Sequence, residues 1–214
     1  MATLNVTKFP LIGSHLSLDF VNTKIMEDGV PRDLLNGPED VAAWAVAVKL
    51  LDLPQAKKLA KLWKEAESRD EFEQVLRFRR VLHGLVEAIT QSEPVTSPTL
   101  HAINTLLRKQ NGYAEVLPSD EGFIKRFSLD IHSPSQLLGP VAEAASDLLC
   151  YGNPAYVRKC ENPACVLYFY DGTKNHSRRW CSMKACGNRT KVAAFYQRQR
   201  QQVKRQARRH PDMK

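Results

Sequence analysis

Apolar side chains recur every three or four positions through much of the chain as far as Cys150, the period of helices that bury one face. The clearest case is Arg69–Thr90, where Phe72, Val75, Leu76, Leu82, Leu85, Val86 and Ile89 predict a long core helix. Ahead of it, Asn36-Gly37-Pro38-Glu39-Asp40 supplies a cap, an early proline and acids near the positive end of a helix dipole. A helix is therefore expected from there to Leu51. Pro54 opens another, with Leu59, Leu62 and Trp63 on one face. The pattern resumes over Leu100–Lys109 and again over Ser135–Cys150, where Leu137, Leu138, Val141, Ala145, Leu148 and Leu149 point inward. On the long helix, Arg77, Arg79 and Arg80 read as a solvated, salt-bridged face, and Cys150 reads as a buried packing thiol.

The period shortens to two in only one clear place. Tyr113–Leu117 and Phe123–Leu129 alternate around Pro118, Asp120 and Gly122, which predicts a β-hairpin. The residues around Gly29 and Pro31 read as a loop. His15–Lys24 is ambiguous, because Leu16, Leu18 and Phe20 alternate while Leu18 and Val21 share a helical face. Asp19, Asn22 and Thr23 are polar groups set into that apolar stretch. They fit either helix caps and turns or a ligand-facing site.

Tyr151-Gly152-Asn153-Pro154 breaks the helical pattern and divides the chain into residues 1–152 and 153–214. The fold class expected is α+β and mainly helical: an N-terminal helical domain with one small hairpin, then a small treble-clef-like C-terminal module with a long basic helix. Charge follows the same division. From Arg158 to Lys214, fifteen lysines and arginines stand against three acids, a net +12, whereas Met1–Val157 has 16 basic and 20 acidic side chains, a net −4. A small module of that charge suits a polyanion, with nucleic acid favoured over an acidic protein or a membrane surface. Met1–Phe20 lacks the basic start and apolar run of a signal peptide, and the apolar window Val41–Leu53 is short and contains Lys49. A cytoplasmic location, with no membrane partner, is expected.

The C-terminal module contains C-E-N-P-A-C and, fifteen residues later, C-S-M-K-A-C. The pairs Cys160/Cys165 and Cys181/Cys186 have a spacing that suits a tetrahedral Zn²⁺ held by four thiolates. Paired disulfides or redox thiols are the rival readings, disfavoured by a reducing compartment and by the absence of a C-x-x-C motif. A filled Cys₄ site leaves no open position for chemistry. Between the pairs lie the aromatic run Val166–Tyr170, a turn expected at Asp171-Gly172, and a basic stretch with Lys174, His176, Arg178 and Arg179. After them, Gly187-Asn188 leads into a helix over Arg189–Arg209, whose stripe Val192, Phe195, Tyr196 and Val203 is expected to pack on the zinc core.

The faces around that stripe carry Arg189, Lys191, Arg198, Arg200, Lys204 and Arg205, with almost no acids to pair with. Candidate base contacts are Arg178, Arg179, Asn188, Arg189 and Lys191, with Lys174 and the later arginines placed on phosphates. If about six phosphates are neutralised, log K should fall with log salt at a slope near −5. An RNA-binding or ribosome-associated role is the alternative, with Tyr168, Phe169 and Tyr170 stacking on bases. No G-x-S-x-G, H-E-x-x-H, G-x-G-x-x-G or P-loop motif supports an enzyme.

Trp180–Arg189, W-C-S-M-K-A-C-G-N-R, resembles the CGNR zinc finger, and the preceding D-G-T-K-N-H-S-R-R fits the same family. Leu18–Thr23, L-D-F-V-N-T, resembles the opening of the ABATE domain that usually precedes this finger. The resemblance implies zinc ligation by the four paired cysteines and a bacterial, stress-responsive transcription regulator acting on double-stranded DNA. It implies no ligand for the N-terminal domain, where a small-molecule effector site or a homodimer contact are both open.

Overall fold

A computed structural model describes residues 4–63, 67–110, 112–129 and 131–209, and the side chains of these except 67, 68, 126, 127, 129 and 203–209. The ambiguous N-terminal stretch resolves as a short helix, α1 (Leu16–Val21), with Leu18, Phe20 and Val21 buried. It lies at the centre of the molecule, Phe20 packing on Trp44 with ring centroids 5.0 Å apart. The other helices of this part are α2 (Pro38–Ala47), α3 (Leu53–Leu62), α4 (Glu67–Gln91), α5 (Ser97–Arg108) and α6 (Leu138–Cys150), of which α4 and α6 pack directly on α1. The helix starts follow capping chemistry. Pro38 occupies the first turn of α2, and Asp52 and Gln55 form a reciprocal capping box at α3. Val75, Phe78, Leu82, Leu85 and Val86 of α4 and Val141, Ala142, Ala145 and Leu148 of α6 supply much of the core.

Two hairpins belong to this part of the chain. The residues read as a loop form β1 (Lys24–Glu27) and β2 (Val30–Asp33), antiparallel and closed by Asp28 and Gly29 at φ of 50° and 82°. Positive φ at both central residues is the turn that Asp-Gly favours. The alternating segment forms β3 (Gly112–Ser119) and β4 (Gly122–Leu129), paired from Gly112↔Leu129 to Ser119↔Gly122. Tyr113, Val116, Phe123 and Ile124 on this hairpin are exposed.

Two further expectations are corrected. Arg79 is buried rather than solvated, with its guanidinium on both oxygens of Asp33 and on the Thr23 hydroxyl. Cys150 is exposed, because it falls on the face of α6 that carries the exposed Glu143 and Asp147. The chain does turn at Asp171-Gly172, where the Gly172 amide donates to the Tyr170 carbonyl at 3.1 Å, and turns again at 173–176, where the His176 amide donates to the Thr173 carbonyl at 3.1 Å.

The C-terminal part begins with β5 (Val157–Lys159), which pairs antiparallel with β6 (Tyr168–Tyr170), so the first cysteine pair sits on the connection between them. A single wide turn, Met183–Gly187, then leads into α7 (Asn188–Arg209). This helix is about 33 Å long at 1.5 Å per residue. Its stripe does not pack on the zinc core: Val192, Phe195 and Tyr196 are at least half exposed. The side chains of Val203, Lys204 and Arg205 lie outside those described.

The two parts share one interior. Val157 and Tyr168 are buried in the N-terminal core, while Ile12 and Ile25 pack on the cysteine cluster. Among the described residues, no helix is long and apolar enough to cross a membrane.

Candidate functional site

Each cysteine pair is held by a backbone turn that its own sequence builds. In C-E-N-P-A-C, the Asn162 side-chain oxygen accepts from the Ala164 amide at 3.1 Å, and its carbonyl accepts from Cys165 at 2.9 Å. Such Asx turns are local and need no distant partner. In C-S-M-K-A-C, the Ser182 hydroxyl accepts from the Ala185 amide at 3.4 Å, and its carbonyl accepts from Gly187 at 3.0 Å. A Cβ at Gly187 would meet the Met183 sulfur at 2.6 Å and the Trp180 ring at 3.4 Å, so the exposed Met183 side chain would have to move aside for it. The Cys160 amide donates to Leu167 at 2.9 Å and closes the first loop, and the Glu161 amide donates to Arg179 at 3.0 Å and ties that loop to the approach to the second pair.

The four thiols converge, all their sulfurs lying within 4.8 Å of one another. Cys165 and Cys181 sulfurs are 3.8 Å apart, and Cys181 and Cys186 sulfurs 3.5 Å. A tetrahedron with about 2.3 Å Zn–S bonds has edges of about 3.8 Å, so the cluster matches a Zn²⁺ site. Sulfurs in a disulfide would stand about 2.05 Å apart. Cys160, Cys181 and Cys186 are buried and Cys165 is half-buried. The Cys181 amide points at the Cys160 sulfur at 3.4 Å, a backbone donor of the kind that stabilises bound thiolates. His176 takes no part. Its ring stacks on Tyr156 at 3.6 Å with its Nδ1 2.8 Å from the Asp171 carbonyl.

The loop leading to the second pair is organised by Asp171, which sequence reasoning treated only as a turn residue. Fully buried, it accepts from the Thr173 amide at 3.1 Å, the Thr173 hydroxyl at 2.6 Å and the Arg178 amide at 2.8 Å. Burial alone would raise its carboxyl, but these bonds and nearby Arg158 hold it below the usual range. The spacing D-G-T followed by R-R is the signal that marks it.

Arg178, expected at the DNA, is committed to the protein instead. Its guanidinium lies 4.2 Å from the Phe169 ring centroid and donates to four carbonyl or hydroxyl oxygens. They are Trp180 at 3.1 Å, Cys181 at 2.5 Å, Ile12 at 2.9 Å and Ser14 at 3.2 Å. Arg179 lies over Trp180 and pairs with Glu161 at 2.6 Å. By contrast Lys174, Asn188, Arg189, Lys191, Arg198 and Arg200 are exposed, and none of the cations among them makes an ion pair among the described residues. The aromatic run does not present a stacking surface, since Tyr168 and Phe169 are buried.

The three polar residues of the N-terminal motif each make hydrogen bonds within the protein. The Asn22 side chain donates to the Tyr168 carbonyl at 2.8 Å and accepts from the Tyr168 amide at 2.9 Å, which splices α1 onto β6. Thr23 donates to the Phe20 carbonyl at 2.7 Å and accepts from Arg79 at 2.9 Å. Asp19 accepts from the Gly13 amide at 2.7 Å, while the Gly13 carbonyl accepts from Tyr170 at 2.8 Å. A Cβ at Gly13 would press within 2.9 Å of the Asp19 amide nitrogen, so this close approach needs glycine. Burial raises the Asp19 carboxyl to about 6, against the pull of the Gly13 and Ile12 amides and of Arg178. The L-D-F-V-N-T motif thus docks the C-terminal module.

The family model described as "ABATE: Putative stress-induced transcription regulator" matches residues 14–152, and that described as "CGNR zinc finger" matches residues 156–199. No curated protein matches the chain. Neither description is of an enzyme, and the four converged cysteines are the metal site that a zinc finger requires. The chain belongs to the ABATE family and carries a CGNR zinc finger.

Proposed function

We propose that the protein is a DNA-binding transcription regulator in which zinc holds the finger folded and α7 lies against duplex DNA. Cys160, Cys165, Cys181 and Cys186 hold the ion, which supplies cross-linking and no reaction. The observation that carries the reading is α7 itself, exposed on its apolar stripe as well as its charged faces. Arg189, Lys191, Arg198 and Arg200 have no acid within 4 Å among the described residues, so phosphates can take them without displacing protein partners. Asn188 and Arg189 begin the helix and are the candidates for base edges, with Lys174 on a neighbouring phosphate. Lys204 and Arg205 lie further along the same helix. The N-terminal domain serves as the regulatory part, through a small effector, a second copy of the chain, or both.

Titration of the zinc-loaded chain into labelled random duplex at several salt concentrations tests the proposal. A log–log slope near −5, for about six phosphates, is expected. No binding at low salt would sink it, and preference for single-stranded RNA in direct competition would move the protein to the RNA-binding alternative.

A further inference from the structure

A small cleft of about 230 Å³ opens on the seam between the N-terminal domain and the finger. Val21 of α1 and Ile25 and Met26 of β1 form its apolar walls, and Val166 closes it from the finger side, one residue after the ligand Cys165. Its two ionisable lining groups are Lys24 and His83. The volume lies below the roughly 300–1,000 Å³ of sites that take drug-sized ligands, so its occupant is smaller than those.

The charges around the cleft say what that occupant carries. Two nearby carboxylates already have arginine partners, Glu27 with Arg32 and Asp33 with Arg79, and a third, Glu87, lies 3.3 Å from the His83 ring. Lys24 is exposed with no ion pair among the described residues, and it stands directly opposite Asp33 in the β1–β2 ladder, where both Asp33 oxygens are taken by Arg79. An apolar slot with one spare ammonium at its rim suits an apolar body ending in a single negative charge. His83 also meets the Tyr168 ring edge-on at 5.6 Å, so one side chain separates an occupant from the strand that Asn22 fastens.

We infer that this cleft binds a small apolar monocarboxylate, of the size of a one-ring aromatic acid or a short branched-chain acid. The binding site stands on the cleft alone. The role of effector rests on the DNA-binding reading, since an occupant bridging β1 and Val166 changes how firmly the finger sits on its support.

Calorimetric titration of the zinc-loaded full chain with benzoate tests the site, with benzamide as the neutral isostere. Saturable binding of benzoate, at least about tenfold tighter than benzamide, is expected. Lys24→Met should erase that preference, and Met26→Trp, which fills the slot, should remove binding while zinc content and unfolding midpoint are retained. Should Met26→Trp fail to fold, Val166→Phe fills the same slot from the finger side. Absence of saturable benzoate binding in the wild type overturns the site, as does binding that survives both Lys24→Met and a folded slot-filling variant. A separate titration with duplex DNA, with and without benzoate, tests the effector role. An affinity change of at least about threefold is expected, and an unchanged affinity in a chain that binds both overturns that role while leaving the site in place. Failure of DNA binding itself leaves the calorimetric result intact, so the two readings fail separately.

Discussion

Between the cysteine pairs, Arg178 places its guanidinium on four oxygens and an aromatic face, and Arg179 closes on Glu161. Along α7, Arg189, Lys191, Arg198 and Arg200 have no acid within reach. The two stretches look alike as strings of cations, yet one is used to assemble the protein and the other is left for a partner. The difference lies in what surrounds each cation. The loop folds back onto carbonyls, a carboxylate and ring faces, which take up guanidinium donors. An exposed helix spends its carbonyls on its own hydrogen bonds and offers nothing in exchange. Local charge density is therefore a weak guide to a binding face, and unpaired charge a better one.

Replacing Cys181 with Ser should have the largest effect, because it removes one of four ligands and opens the small core of Leu167 and Phe169. Loss of bound zinc and of the finger's cooperative unfolding is expected, with DNA binding lost as well. A folded, metal-free variant with full affinity would refute the role given to zinc.

Arg178→Ala comes next and bears directly on the comparison. Loss of its half-buried contacts should lower unfolding stability by about 2–4 kcal/mol, as for other broken polar networks. The salt slope of DNA binding, measured where the variant is folded, should not move. Arg198→Ala with Arg200→Ala should do the reverse, leaving the urea midpoint in place and flattening the slope by about 0.9 per cation. A slope change from Arg178→Ala, or a stability loss from the α7 pair, would erase the distinction.

Of the changes expected to move stability, the smallest concerns Asp19, whose carboxyl moves from 3.8 to about 6 chiefly through burial. A folded value above the unfolded one means that the folded chain holds this proton more tightly. The stabilisation is complete below about pH 4 and is lost as pH rises through about 6. It amounts to on the order of 2 kcal/mol for a part-buried group. Asp19→Asn keeps an oxygen for the Gly13 amide and cannot ionise. Urea unfolding should show its advantage over wild type growing from pH 4 to pH 7, and a difference that stays flat over that range would rule this account out.

The helices and the β3–β4 hairpin were legible because burial imprints its period on the chain, and the cysteine spacing carried the metal site. The β1–β2 hairpin was hidden because Lys24–Glu27 and Val30–Asp33 are mostly exposed and show no alternation, although Asp28-Gly29 marked its turn. Arg79 looked solvated because Asp33, the acid that buries it, lies 46 residues away. Cys150 was misplaced because it lies on the face of α6 that carries Glu143 and Asp147, beside the buried stripe and not on it. The α7 stripe was misplaced because periodicity says that a helix has an apolar face, and not that anything covers it. Asn22 was readable as a local cap, but its backbone partner on β6 leaves no mark in composition or spacing.

That last pairing also has a consequence in time. Asn22 and Tyr168 are 146 residues apart, so on a ribosome adding about 5–20 residues per second the docking asparagine emerges roughly 7–30 s before the strand that satisfies it. Only near the end of that interval does α1 gain its helical neighbours α4 and α6, and its neighbouring Asn22 amide is then still without its partner. The N-terminal domain thus waits, part-assembled, for the finger to complete it, and a chain cut short before Tyr168 would carry its unfinished centre as a site for a chaperone or a protease.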